Sequence, residues 1–166
     1  MRSLANLLDQ VNLFVGNVAR WLAIVMVLLQ FGIVLLRYVF GYNYIFMNEG
    51  VLYLHSALFM LGAGYTLLMN GHVRVDIFYS DLRARGQAIV DIFGHLFLLA
   101  PALLILLYYS WPFVRRSWAI YEGAISVGGI PASFLLKSLI PAFCVLLLIQ
   151  GFAALLRDII RLRDAV

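Results

Sequence analysis

The stretch "LGAGYTLLMNGHVRVDIFY", Leu61 to Tyr79, decides how this chain is built. An apolar run dense in Gly, Ala and Thr stops at Asn70 and Gly71, and His72, Arg74 and Asp76 follow at once. Long apolar segments lie on both sides of this turn. A polar turn between two such segments reads as a membrane edge, and its side of the bilayer then fixes the side of every other loop.

Composition points the same way. The 166 residues are 64% hydrophobic and 12% charged, with a mean hydropathy of +0.98, whereas soluble domains carry roughly a quarter charged residues. A core in so short a chain cannot hide this much apolar surface, so lipid must solvate the excess. The net charge of +4 is modest and spread out. It reads as membrane topology and excludes a nucleic-acid interface, which would need a basic stripe interleaved with aromatics. Cys144, the single cysteine, sits in an apolar run and reads as a small core residue.

Four stretches can cross about 30 Å of hydrocarbon as helices of roughly 20 residues: Trp21 to Phe40, Phe46 to Met69, Ala88 to Trp111 and Phe134 to Leu156. The expected fold is therefore a single all-α membrane domain over residues 1–166 with four spans. Pro101 and Pro141 fall inside spans three and four, where membrane helices tolerate them. Ahead of the first span, Leu4, Leu7, Leu8, Val11, Phe14, Val15 and Val18 recur at helical spacing, with Asn6, Asp9, Gln10, Asn12 and Asn17 largely between them. This predicts an amphipathic helix lying on the membrane surface, in preference to an inward extension of span one. It lacks the continuous apolar stretch and small-residue site of a cleaved signal peptide.

Basic residues set the orientation. Arg2, Arg20, Arg74, Arg83, Arg85, Arg157, Arg161 and Arg163 fall on one side, against Arg37, Arg115, Arg116 and Lys137 on the other. The positive-inside rule puts both termini and the His72 to Arg85 turn in the cytoplasm. The long outward loop, "SWPFVRRSWAIYEGAISVGGIPASF", predicts a short interfacial helix and then a Gly/Pro turn into span four. A plain amphipathic surface helix is the simpler reading, and docking of an external partner, which the loop's length would allow, is the alternative.

Ionisable residues near the spans are the functional candidates, because charge in hydrocarbon is costly. Arg37 and Glu49 flank the first outward turn, where they can pair as a clamp between spans one and two. Asp91 and Lys137 lie close enough to span ends to snorkel. His55 and His95 both fall about 12–14 Å deep on spans two and three, a placement that admits haem ligation or, more commonly, interhelical hydrogen bonding. The His72, Arg74, Asp76 group can cap span two, tie the inner ends together or meet a partner. No nucleophile and base, phosphate loop or metal-spaced cluster accompanies these residues, so neither an enzyme nor a metal or cofactor site is expected.

These residues also carry a resemblance. "RYVF" ends span one, Glu49 opens span two, "GAGYTL" and "GHVRVD" mark its inner end, "YEGAISVGGIP" lies outside and "IPAFCVLLLIQG" sits in span four. In that order they resemble the small membrane subunit, DctQ-like or Q, of a tripartite ATP-independent periplasmic (TRAP) transporter. The pattern departs at Met47-Asn48, where the family often has Trp and a second acidic residue.

The resemblance implies a bacterial inner-membrane complex. A periplasmic substrate-binding protein captures an organic acid, a large membrane subunit moves it with sodium, and the small subunit braces the large one among membrane lipids. Arg37, Glu49, His72, Arg74, Asp76, Glu122, Ser126 and Pro131 match recurring family positions and are assigned to the fold and to partner contacts; Arg115 and Arg116 join them from the outward loop. Two other functions compete: a haem-bearing redox anchor built on His55 and His95, and a stand-alone exporter or channel.

Overall fold

A computed structural model of the chain describes residues 2–72, Tyr79 and residues 82–164. Among them every regular element is a helix: α1 (Arg2–Val39), α2 (Ile45–Leu68), α3 (Ala84–Phe93), a π-helical turn (Gly94–Leu99), α4 (Ala100–Ala119) and α5 (Ser133–Asp164). α3, the π turn and α4 follow one another without a break, so four helical rods result, all long and apolar enough to cross a membrane. The loop joining α4 to α5 lies at one end of the bundle, here the loop face; the chain ends lie at the other, the termini face.

α5 is the hub. It packs against α1, α2, α3, the π turn and α4, whereas α2 makes no backbone contact with the third rod. Cys144 is fully buried between Leu103 and Leu147, as its apolar setting predicted. Elsewhere the bundle buries small and polar residues such as Ala19, Ala88, Asn12 and Gln150 beside a few leucines, and leaves many large apolar side chains outside, as packing in lipid allows. Gly16 lies so close to Tyr65 that a Cβ there would fall 2.5 Å from the ring.

Two expectations change. No surface helix precedes span one, because α1 runs unbroken from Arg2 to Val39. At 1.5 Å per residue it is about 57 Å long, far more than the roughly 30 Å of hydrocarbon. Its buried residues Ala5, Asn12, Gly16, Ala19 and Ile33 form one continuous stripe facing the bundle, while Leu4, Leu7, Val11, Phe14 and Val18 face outward. The helical spacing is real, but the stripe that turns inward carries Ala5, Asp9, Asn12, Gly16 and Ala19, while Asn6, Gln10 and Asn17 stay outside with the large apolar residues. Nor does a separate interfacial helix follow span three. α4 continues through Pro112 to Ala119, and the segment from Ile120 to Ala132 is non-helical. A proline removes one hydrogen bond without ending a membrane helix.

The π turn has a local cause. Pro101 can donate no N–H and its ring crowds the carbonyl four residues back. The Ala100 N–H instead bonds the His95 carbonyl, five residues back, widening the turn.

Candidate functional site

Acidic and basic side chains are confined to the stretches toward the two ends of the bundle. No Asp, Glu, Lys or Arg occurs between residues 21 and 36, 50 and 73, 92 and 114, or 138 and 156. The ends are built differently.

At the loop face Glu49 is the anchor. It sits one turn into α2, is only 7% exposed, and accepts the Ser126 N–H on Oε1 at 2.9 Å and the Ile130 N–H on Oε2 at 2.7 Å. Both carboxylate oxygens thus satisfy backbone donors that lack a helix or strand to bond to. The fit leaves no spare room, since a Cβ on Gly129 would lie 2.2 Å from both oxygens. Gly128 has φ +83°, the left-handed conformation that bends the loop around the carboxylate.

A second acid closes the same loop. α4 ends with Tyr121 at φ 44°, the Tyr121 N–H on the Trp118 carbonyl and the Glu122 N–H on the Ser117 carbonyl. This is the Schellman arrangement with a tyrosine where glycine is usual. The Tyr121 ring stacks edge-on against Phe134, a contact that offsets the strain. Glu122 so placed accepts the Ser117 hydroxyl at 2.5 Å and the Lys137 ammonium. The Lys137 and Ser117 bonds hold its carboxyl below the usual carboxylate range. Lys137 also lies 4.1 Å over the Phe113 ring, Ser133 donates to the Gly123 carbonyl, and Trp118 donates to Ser138 at 2.7 Å.

At the termini face the partners are side chains on different helices. Asn12, fully buried on α1, donates to Gln150 Oε1 of α5 at 3.0 Å and to the Leu146 carbonyl at 3.4 Å. Gln150 donates in turn to Asp9 at 3.1 Å, and Asp9 receives Arg157. Among the described residues Asn12 Oδ1 has no hydrogen-bond partner, and it packs on Gly64, where a Cβ would fall 2.0 Å away. On its other side α5 meets the third rod: His95 Nε2 is 3.4 Å from Asp158, and Arg161 bonds Gln87 at 2.6 Å and stands 3.9 Å from Asp91. Tyr79 donates to Asp91 at 2.6 Å, and burial and then that aspartate push its phenol up. A polar cavity of about 230 Å³ lies among Asn70, Tyr79, Asp91, His95, Asp158 and Arg161.

The predicted residues fall out as follows. Glu49, Ser126 and Glu122 meet in the loop-face cluster; Pro131 lies exposed beside it. Arg37 does not pair with Glu49 among the described residues, because backbone amides occupy both oxygens; its guanidinium lies 6.0 Å from the Tyr38 ring. Arg115 and Arg116 are exposed on α4. Arg74 and Asp76 lie outside the described residues, and His72 is exposed just after α2.

Helix α2 needs no side-chain cap. The Gly71 N–H bonds the Thr66 carbonyl at 2.8 Å and the Asn70 N–H the Leu67 carbonyl at 3.2 Å, with Asn70 left-handed at φ 52°. Met47-Asn48, the departure from the family pattern, puts Asn48 on Asn43 and the Tyr44 carbonyl. His55 and His95 do not converge. They belong to rods without backbone contact, His55 stacks on Phe59, and His95 faces Asp158. Asp9, Asn12, Gln150 and Asp158 were not singled out from sequence; the usable signal was polar residues recurring on one helical stripe.

A family model described as "Tripartite ATP-independent periplasmic transporters, DctQ component" matches residues 24–161. No curated protein matches the chain. The chain belongs to the DctQ family, the small component of these transporters, a family of transporter components and not of enzymes.

Proposed function

We propose that this chain braces a larger membrane subunit that carries an organic acid inward with sodium, the acid being delivered by a periplasmic binding protein. Family membership supports the complex. The observation that carries the bracing role is the apolar middle of the bundle, without a charged side chain between its two polar ends. A solute path needs polar groups converging at the midplane, often on broken helices. The outside of this bundle is correspondingly greasy: Phe31, Phe59 and Leu98 are all more than 60% exposed. Such a surface suits lipid and the flank of another membrane protein.

The arginine distribution favours a bacterial inner-membrane orientation with the termini face cytoplasmic and the loop face periplasmic. The Glu49-anchored loop then meets the binding protein, and Val127, 96% exposed at its tip, is the first side chain such a partner would touch. In this reading Arg37, Arg115, Arg116, Glu122, Ser126 and Pro131 serve the loop-face frame and its contacts, and His72, Arg74 and Asp76 serve the cytoplasmic end.

The test is co-purification and transport. The chain should be retained by its large subunit and be inactive alone in vesicles. Glu49→Ala should weaken assembly and uptake together while leaving the binding protein's affinity for its solute unchanged. Uptake by the purified chain alone, or lost uptake from a fully assembled Glu49→Ala complex, would overturn the proposal.

A further inference from the structure

An open apolar groove of about 1130 Å³ runs between α4 and α5 on the loop-face half of the bundle, floored by Leu104, Tyr108, Trp111, Pro141, Ala142 and Val145. Trp118 edge-on against Phe134 closes α4 against α5 at the loop end, and Leu103 with Cys144 and Leu147 closes them at the other. Between these closures α5 lines the groove with Pro141, Ala142 and Val145, none of them bulky enough to reach across, so the helices leave a hollow open to the side. From Leu104 to Pro112 it is about 12 Å long, close to the roughly 15 Å of one leaflet's hydrocarbon.

What lies beyond the groove decides its occupant. Arg115 follows Trp111 by four residues and Arg116 follows Pro112 by four, so both stand one turn further along the groove's own face. Both are exposed, and among the described residues neither has a carboxylate partner. The acid of this region, Glu122, is held by Lys137 and Ser117.

We infer that this face binds a membrane phospholipid with an anionic headgroup, one acyl chain in the groove and the phosphate on Arg115 and Arg116. Apolar length and cationic end match an amphiphile lying at its natural depth. Tyr108 and Trp111, exposed on the way to the arginines, supply the amphipathic rings that settle at headgroup level. An acidic end group is drawn by each nearby basic residue, worth roughly fivefold in relative binding per arginine.

The experiment uses the full chain in vesicles with Trp21→Phe and Trp118→Phe, leaving Trp111 as reporter, and lipids brominated on the acyl chain as quenchers. Brominated phosphatidylglycerol should displace ordinary lipid from the site at least about fivefold better than brominated phosphatidylcholine. R115Q/R116Q should abolish that preference but keep the quenching, and Ala142→Phe, which fills the groove, should reduce quenching by both lipids. Equal quenching by the two lipids, or a preference that survives R115Q/R116Q, overturns the headgroup assignment. Absence of quenching by either overturns the lipid altogether and assigns the groove to protein. Native mass spectrometry of the chain with all its tryptophans gives an independent reading. R115Q/R116Q should lose about one retained phosphatidylglycerol per chain, and an unchanged count overturns the site.

Discussion

The two ends of the bundle solve the same problem, holding apolar rods in register without an aqueous core, by opposite means. At the loop face two acids act on irregular backbone: Glu49 accepts two loop amides, and Glu122 is set by the end of α4 and locked by Lys137. At the termini face the partners are side chains on separate helices, Asn12 with Gln150, Asp9 with Arg157, His95 with Asp158. The first device shapes a surface, because a loop without secondary structure has one conformation only if something else takes its hydrogen bonds. The second shapes an angle between helices and spreads the work over several bonds, of which those of Arg157 and Arg161 are open enough to be exchanged for water or lipid headgroups. Damage at the loop face should therefore be local and severe, and damage at the termini face spread and partial.

The largest effect is expected at Glu49. Glu49→Ala leaves the Ser126 and Ile130 amides without their acceptor; an unmatched buried donor costs about 1–3 kcal/mol, and each of these partly buried amides falls in the lower part of that range. The expected loss is thus roughly 2–4 kcal/mol, read as a lower thermal midpoint in detergent and faster labelling of a cysteine placed at the partly buried Ile130. Glu49→Gln should fall between, since its one oxygen can accept from only one amide while its NH2 faces the other. If Glu49→Gln were as damaging as Glu49→Ala, the charge and not the pair of acceptors would be what holds the loop.

The termini face is tested at the contact of Asn12 with Gly64. A Cβ on Gly64 would lie 2.0 Å from Asn12 Oδ1 and 3.3 Å from the Leu146 carbonyl, so Gly64→Ala must push α1 away from α2 or turn the amide aside. Overpacking of this kind costs about 1–3 kcal/mol. The Asn12 hydrogen bonds are worth less, on average about 0.6 kcal/mol each between membrane helices. Asn12→Ala should therefore be mild, and Asn12→Ala with Gly64→Ala together should be less destabilising than the sum. Strict additivity in that cycle would mean the two residues do not share a contact, and the packing of α1 on α2 would need another explanation.

These two sites also mark what the sequence discloses. The four spans were legible because lipid selects length and hydropathy, which a chain displays directly. Glu49 was legible from the residues alone, since an acid at a span end is costly wherever it points, whereas Glu122 was named through the family resemblance. Their partners were not, because a carboxylate bonding backbone amides leaves no trace in the identity of the residues bonded. α1 misled for a related reason. Its 3.6-residue pattern gives two faces but not which of them is inside, and in lipid the polar stripe of Asp9 and Asn12 turns inward. A water-based reading turns it out. Gln150 lay hidden in "IPAFCVLLLIQG" until α1 supplied its partner.

The smallest effect separates charge from geometry at the loop face. Glu122 touches both Lys137 and Ser117, and these bonds depress its carboxyl below the ordinary value. A carboxyl whose folded value is lowered adds stability that is complete above its ordinary range and lost as the pH falls through the depressed folded value. The thermal midpoint should therefore be flat from neutral pH down to the usual carboxylate range and decline only below it. Glu122→Gln should remove that acidic decline while lowering the midpoint slightly at neutral pH, as a solvent-reached ion pair contributes little. If instead Glu122→Gln kept the decline, the Lys137 and Ser117 bonds would not be what ties the stability of the loop face to pH, and the exposed ion pair would be a consequence of the loop's shape rather than one of its supports.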